Sequence, residues 1–164
     1  MTKNILVTGG AGYIGSHACK ALQQAGYVPV TFDNLATGWQ DAVKFGPFEQ
    51  GDLLNRSDID RVFEKYTPVA VMHFAALSQV GESMQKPGLY WQNNVIGSLN
   101  LIQAAADHGC MDVWMSCFHP PALPMATKIM LFWMNTASSI PSTPMARPSG
   151  PLKISWPILV RPMD

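Results

Sequence analysis

Apolar positions in the first 110 residues of this chain follow two rhythms. Short continuous runs suit buried strands, and three-to-four-residue spacing suits helices. Residues 4–7 form an apolar run ending in Thr8-Gly9-Gly10, which predicts a first strand. Residues 12–25 follow with helical spacing, placing Ile14, Ala18, Ala21, Leu22 and Ala25 on one face, and Gly26 marks the stop. Residues 28–32 read as a second strand, with Pro29 near its start, and residues 45–50 as a weaker third. Residues 57–66 predict a helix capped by Ser57 or Asn55, with Ile59, Val62 and Phe63 on its inner side. Residues 69–74 are apolar enough for a strand buried on both faces. Residues 89–108 predict one long helix closed by Gly109, with Val95, Leu99, Ile102 and Ala106 on its buried stripe. Tyr90-Trp91 is expected to pack that helix on the sheet. The alternation predicts an α/β fold, a Rossmann-like doubly wound parallel sheet that is incomplete at this length.

Composition changes the picture at one point. Residues 1–110 hold 12 of the 13 glycines and 9 of the 11 acidic residues, whereas residues 111–164 hold 9 of the 13 prolines and 7 of the 10 methionines. Proline removes a backbone donor and disfavours helix in the residue before it. A Rossmann-like domain is therefore expected over residues 1–113, and a poorly ordered Pro/Met-rich tail over 114–164. Across the whole chain, 48% hydrophobic and 13% charged residues argue against disorder as the default. Eleven basic residues balance eleven acidic ones, which gives no reason to expect a nucleic-acid partner. Cys19, Cys110 and Cys117 have no metal-ligand spacing, so neither a disulfide framework nor a metal site is expected. Cys19 reads as a small core residue and His73 as structural. No run reaches membrane-spanning length and no signal peptide is evident, so the expected location is cytoplasmic.

The chemistry concentrates where the first strand meets the first helix. Gly9, Gly12 and Gly15 recur at three-residue intervals in Thr8-Gly9-Gly10-Ala11-Gly12-Tyr13-Ile14-Gly15. Gly9 permits a tight turn, Gly12 lets a pyrophosphate approach the backbone, and Gly15 allows close helix packing. The helix N-terminus offers N–H groups and a partial positive charge to phosphates. Asp33 ends the second strand, where a carboxylate can accept from both adenosine ribose hydroxyls. It would repel a 2′-phosphate, so the cofactor expected is NAD rather than NADP. Asp52 follows the third strand and could accept from the adenine amino group.

With these motifs in hand, residues 3–110 resemble the extended short-chain dehydrogenase/reductase family, and within it the UDP-glucose 4-epimerases. The general features are the glycine motif, Asp33-Asn34, Gly51-Asp52-Leu53 and His73-Phe74-Ala75-Ala76. The narrower ones are Val80-Gly81-Glu82-Ser83, Lys86-Pro87, Tyr90 and Asn93-Asn94-Val95. The resemblance implies that Tyr13 and Ile14 lie on the pyrophosphate. Asp33, Asn34 and the loop through Gly38 would surround the adenosine, and Asp52 and Leu53 would bracket adenine. Phe74, Ala75 and Ala76 would line the cofactor channel, and Asn93 would reach the cofactor. Ser78 stands where some members carry lysine. The family's full-length enzymes interconvert UDP-glucose and UDP-galactose through a 4-keto intermediate with bound NAD, and are typically homodimers. A tyrosine acts as base, helped by a lysine four residues later. Here none of Tyr13, Tyr27, Tyr66 and Tyr90 has lysine at that distance, so no catalytic residue is assigned. The expectation is an epimerase relative inactive as this chain. The alternatives are a non-catalytic NAD-binding module, or another NAD-dependent nucleotide-sugar epimerase or dehydratase.

The genetic code offers an account of the tail. Reading each codon's third base with the next codon's first two forces Gly at Met145-Ala146 and Ala at Trp156-Pro157. Within permitted third bases, residues 142–164 can read Asn-Ala-Tyr-Gly-Ala-Ser-Lys and onward, which contains the missing Tyr-x-x-x-Lys. Residues 117–135 can read Phe-Ser-Ser-Thr-Cys-Ala-Thr-Tyr-Gly, like the family's fifth strand. Residues 111–115 permit a tandem TGGATGT repeat, which a slipped duplication would leave. An out-of-frame tail from about Trp114 is thus expected. Sequencing codons 105–120 from the original template tests it: the expected result is a frame slip there, seen as the repeat or as its correction into the family-like frame. An uninterrupted frame with no repeat and no such motif would refute it.

Overall fold

The computed structural model describes residues 3–110 and 112–115 of the chain. The expectations about the tail, including Cys117, fall outside the described residues, apart from Trp114 and Met115. Five strands form one parallel sheet: β1 (Asn4–Thr8), β2 (Val28–Asp33), β3 (Phe48–Gln50), β4 (Ala70–His73) and β5 (Val113–Met115). Their spatial order is β3-β2-β1-β4-β5. The chain moves outward from β1 to β3, then crosses back to place β4 on the other side of β1. That reversal opens a crevice beyond the carboxyl ends of β1 and β4, where ligands bind in doubly wound sheets. β5 pairs with β4 through Val71↔Val113 and His73↔Met115, and lies just past the compositional seam.

Helices cover both faces. α1 (Tyr13–Gln24) buries Ala18, Cys19 and Leu22. Cys19 and Leu22 meet Ile5, Val7, Ala70 and Met72 on one side of the sheet. α2 (Arg56–Tyr66) and α5 (Gly97–Asp107) cover the other side. There Ile59, Val62, Phe63, Leu101, Ala104 and Ala105 pack on Leu6, Val30, Phe32 and Val71. Successive residues of β1 thus serve opposite cores, as the pleat requires. Asn55 caps α2 by accepting from the Ser57 N–H, and Gly109 at φ +73° closes α5. Across the α2–α5 seam, Arg56 pairs with Asp60 of its own helix and with Asp107 of α5.

The long helix expected at 89–108 is broken. α3 (Val80–Gln85) and α4 (Pro87–Trp91) precede one wide π turn, Gln92–Ile96, and α5 follows. A π turn adds one residue and rotates the following face by about 100°. The buried residues of α5 are Gly97, Ser98, Leu101, Ala104 and Ala105, so the covered face lies one position before Leu99, Ile102 and Ala106. Val95, Leu99 and Ile102 are exposed at 41%, 47% and 41%, and Trp91 is 64% exposed rather than packed on the sheet. Ala25 is also exposed, and Ile14 and Ala21 only half-buried, because Gly15 and Cys19 take the inner face of α1. The third strand starts at Phe48, not at 45.

The corrected stripe predicts unequal losses. Leu101→Ala should destabilise the fold by about 2–5 kcal/mol. Leu99→Ala should cost less than about 1 kcal/mol. Urea unfolding of both variants measures the difference, and equal losses would restore the original stripe.

Candidate functional site

The crevice at the strand reversal is a cavity of about 930 Å³. That lies within the usual range for small-molecule sites, about 300–1,000 Å³. Gly9, Gly12, Tyr13, Ile14, Gly15, Asp33, Asn34, Gly38, Asp52, Leu53, Phe74, Ala75, Ala76 and Asn93 all line it. The structure thus gathers around one cavity every residue singled out from the sequence as cofactor-facing.

The glycine loop is shaped by what cannot fit. A Cβ on Gly15 would lie 2.1 Å from the Gly9 carbonyl oxygen, so α1 sits as close as a helix can. Gly9 is at φ +72°, and a Cβ there would strike the Phe74–Ala75 backbone at 2.6–2.8 Å. Gly12 differs. A Cβ there would meet only the Gly9 oxygen, at 3.2 Å, and the residue is in extended backbone at the helix N-cap. Packing within the chain therefore demands little of position 12. Its missing side chain matters toward the cavity. The helix end also has no side-chain cap and no acidic residue in its first turn. Its N–H groups and partial charge are offered to the crevice.

Asp33 has a second task that its position in the sequence does not reveal. Its Oδ2 accepts from the Ala11 N–H at 3.0 Å, and its Oδ1 from the Leu35 N–H at 2.9 Å. One buried carboxylate thus ties the glycine loop to the turn after β2. That turn holds Leu35 at φ +61°, a strained conformation for a non-glycine residue. Asn34 supports it, donating to Asp52 at 3.2 Å and accepting from Ala36 at 3.0 Å.

The opposite wall is Phe74 to Leu77, held by Asn94. The Asn94 carboxamide accepts from the Leu77 N–H and donates to the Leu77 carbonyl, both at 2.9 Å. Asn94 projects from the π turn, and its neighbour Asn93 donates to it at 2.9 Å. Only the resemblance drew attention to this asparagine pair. Its clamp depends on 17 residues of separation and on a helix defect, which no local pattern reports. Tyr90 donates to Glu82 at 3.0 Å and accepts from the Gln79 N–H at 3.2 Å. The Lys86 ammonium, then the Tyr90 hydroxyl, hold the Glu82 carboxyl below its ordinary range.

His73 lies at the floor. It is 5% exposed, and burial lowers its pKa to about 4, leaving a neutral ring. Cys19 and Cys110 are buried, and burial pushes both thiols up, away from nucleophilic use. Among the described residues no cluster of three or more potential metal ligands occurs, and no helix is long and apolar enough to cross a membrane.

A parallel sheet with a glycine loop at its switch point and an acidic residue closing β2 defines a dinucleotide-binding class of fold. Comparison makes the assignment narrower: residues 5–119 match the NAD dependent epimerase/dehydratase family, and the chain belongs to it. A UDP-glucose 4-epimerase of Rhizobium leguminosarum bv. trifolii is 50% identical over 107 residues, covering 65% of this chain and 33% of that protein. The Homo sapiens UDP-glucose 4-epimerase is 38% identical over 130 residues, 71% of this chain and 37% of the other. The crystal structure of the Brucella ovis UDP-glucose 4-epimerase with NAD superposes at a TM-score of 0.68 and 36% identity, over 84% of this chain and 48% of that one. The chain spans about a third of the length of these curated relatives.

Because His73 is neutral when folded, stability should depend on pH in a defined window. Below its ordinary pKa of 6.5, the unfolded chain takes up a proton that the native ring refuses until about pH 4. Stability is therefore full above about 6.5 and is lost as pH falls toward 4, by about 3 kcal/mol from this group. Urea unfolding at several pH values should show this slope, reduced in His73→Phe. An identical slope in the variant would assign it elsewhere.

Proposed function

We propose that this chain is the cofactor-binding part of a UDP-glucose 4-epimerase, that it works in the cytoplasm, and that it binds NAD without turning over UDP-sugars. The observation that carries the cofactor reading is the bare backbone at Gly12, which packing inside the chain requires far less than at Gly9 or Gly15. The residues of the crevice fit a dinucleotide. Gly12, Tyr13 and Ile14 would hold the pyrophosphate at the uncapped end of α1. Asp33 would accept from the adenosine ribose hydroxyls with lone pairs left after its two backbone bonds, and its charge would disfavour a 2′-phosphate. Asn34, Gly38, Asp52 and Leu53 would enclose the adenosine. Phe74, Ala75, Ala76 and Asn93 would form the channel toward the nicotinamide. When bound, NAD supplies reversible hydride acceptance from the sugar carbon.

The second half of the chemistry has no carrier here. A base is needed to take the hydroxyl proton as hydride leaves. The sequence holds no tyrosine with lysine four residues on. UDP-sugar binding and a homodimer are accordingly proposed for a full-length relative, not for this polypeptide. The reading of a purely non-catalytic NAD module makes the same prediction for this chain and differs only in ancestry.

Titration of the full chain with NADH, followed by ligand fluorescence, is expected to show saturable binding, with NADPH bound more weakly. Gly12→Ala should weaken NADH binding by about tenfold or more, while changing unfolding stability by less than about 1 kcal/mol. No UDP-galactose should form from UDP-glucose. Turnover would overturn the account of the missing pair, and absence of NADH binding would overturn the cofactor reading.

A further inference from the structure

Thr8, His73 and Ser98 form a buried polar relay that no part of the cofactor argument has used. The Ser98 hydroxyl donates its single proton to the Asn94 carbonyl at 2.6 Å. It can then only accept from the His73 Nε2, 2.9 Å away. Nε2 therefore carries the ring proton. In a neutral imidazole the other nitrogen is an acceptor. Nδ1 accepts from the Thr8 hydroxyl at 2.6 Å. Every bond in the chain has its donor and acceptor fixed by one serine proton.

The three ends of this relay are where three segments leave for the crevice. Thr8 is the last residue of β1, and Gly9 follows. His73 is the last residue of β4, and the Phe74 wall follows. Ser98 is in the first turn of α5, and its bond to Asn94 grips the π turn. The Phe74 N–H also donates to the Thr8 carbonyl at 2.9 Å. The ring thus bonds β1 through Thr8 and α5 through Ser98, Ser98 passes the link on to the π turn, and the His73 backbone leads into the opposite wall. All three residues are buried: Thr8 is 0%, His73 5% and Ser98 6% exposed.

We propose that His73 is a positioning residue for the cofactor crevice: held as the Nε2–H tautomer between Thr8 and Ser98, it sets the spacing of the glycine loop, the Phe74–Leu77 wall and the Asn93–Asn94 turn. This rests on the reading of the crevice as a dinucleotide site. His73 itself need not touch the ligand.

Two measurements on the full chain test it. Nitrogen-15 NMR of the imidazole should show a pyrrole-like Nε2 and a pyridine-like Nδ1. The reverse tautomer, or a doubly protonated ring at neutral pH, would overturn the relay without reference to any ligand. NADH binding should fall about tenfold or more in His73→Phe. His73→Gln, which keeps one donor and one acceptor, should recover affinity to within about threefold of the unaltered chain. Urea unfolding identifies conditions in which all forms are folded. Binding by His73→Phe equal to the unaltered chain would overturn the positioning role alone. Failure of Gln to restore any of the loss would also overturn it. No binding by the unaltered chain would remove the dinucleotide reading first, and the positioning role with it.

Discussion

A methyl group at position 15 would lie 2.1 Å from the Gly9 carbonyl oxygen, and that exclusion governs the described fold. It lets the start of α1 sit directly on the turn leaving β1. Asp33 completes the arrangement from β2, with its two oxygens on the Ala11 and Leu35 N–H groups. The loop is thus shaped by backbone approach and one carboxylate, not by side chains of its own. Little needs to move when an anion arrives at a surface already lined with oriented N–H groups.

Legibility from the sequence followed the range of the physics. β1, α1, β2, α2 and β4 rest on local rules: apolar runs, a capping asparagine, and glycines at stops. They appear within a residue or two of their predicted bounds. The crevice was legible because glycine spacing and Asp33 lie close together in the chain, and the fold brings the more distant Phe74 and Asn93 to the same cavity. The helix after residue 89 was misread for a physical reason. The amphipathic pattern there is real, but Val95, Leu99 and Ile102 face away from the sheet. Hydrophobicity alone does not say which of two faces is covered by this chain. The Asn94 clamp sits in the π turn just before that face, and a clamp across 17 residues leaves no periodic mark.

That exposed face belongs with two other features at the same side of the molecule. β5 pairs with β4 alone among the described strands, and its Trp114 and Met115 side chains are 48% and 45% exposed. A doubly wound sheet normally continues past this point. Among the described residues, then, the sheet is covered on both faces around β1 and β2, and β5 is its edge strand next to β4. The crevice draws on both sides: Gly9 to Leu53 line it from the β1–β3 segments, and His73 to Met115 from β4 onward.

Pro29 shows how the closed side is kept in order. In β2 the Val28 N–H points to β1 and donates to Lys3, while the Thr31 N–H points to β3 and donates to Pro47. Position 29 shares the β3 side with Thr31, and there it has no proton to give. β3 begins at Phe48 opposite Thr31, one step after the proline. Sliding β3 toward the start of β2 would press a carbonyl against a ring that cannot answer it. The residue that looks like a flaw in the second strand thus acts as an end stop. The outer ladder begins past it, at Thr31↔Phe48, and in that register Asp33↔Gln50 delivers the chain to Gly51 and Asp52 at the mouth of the crevice.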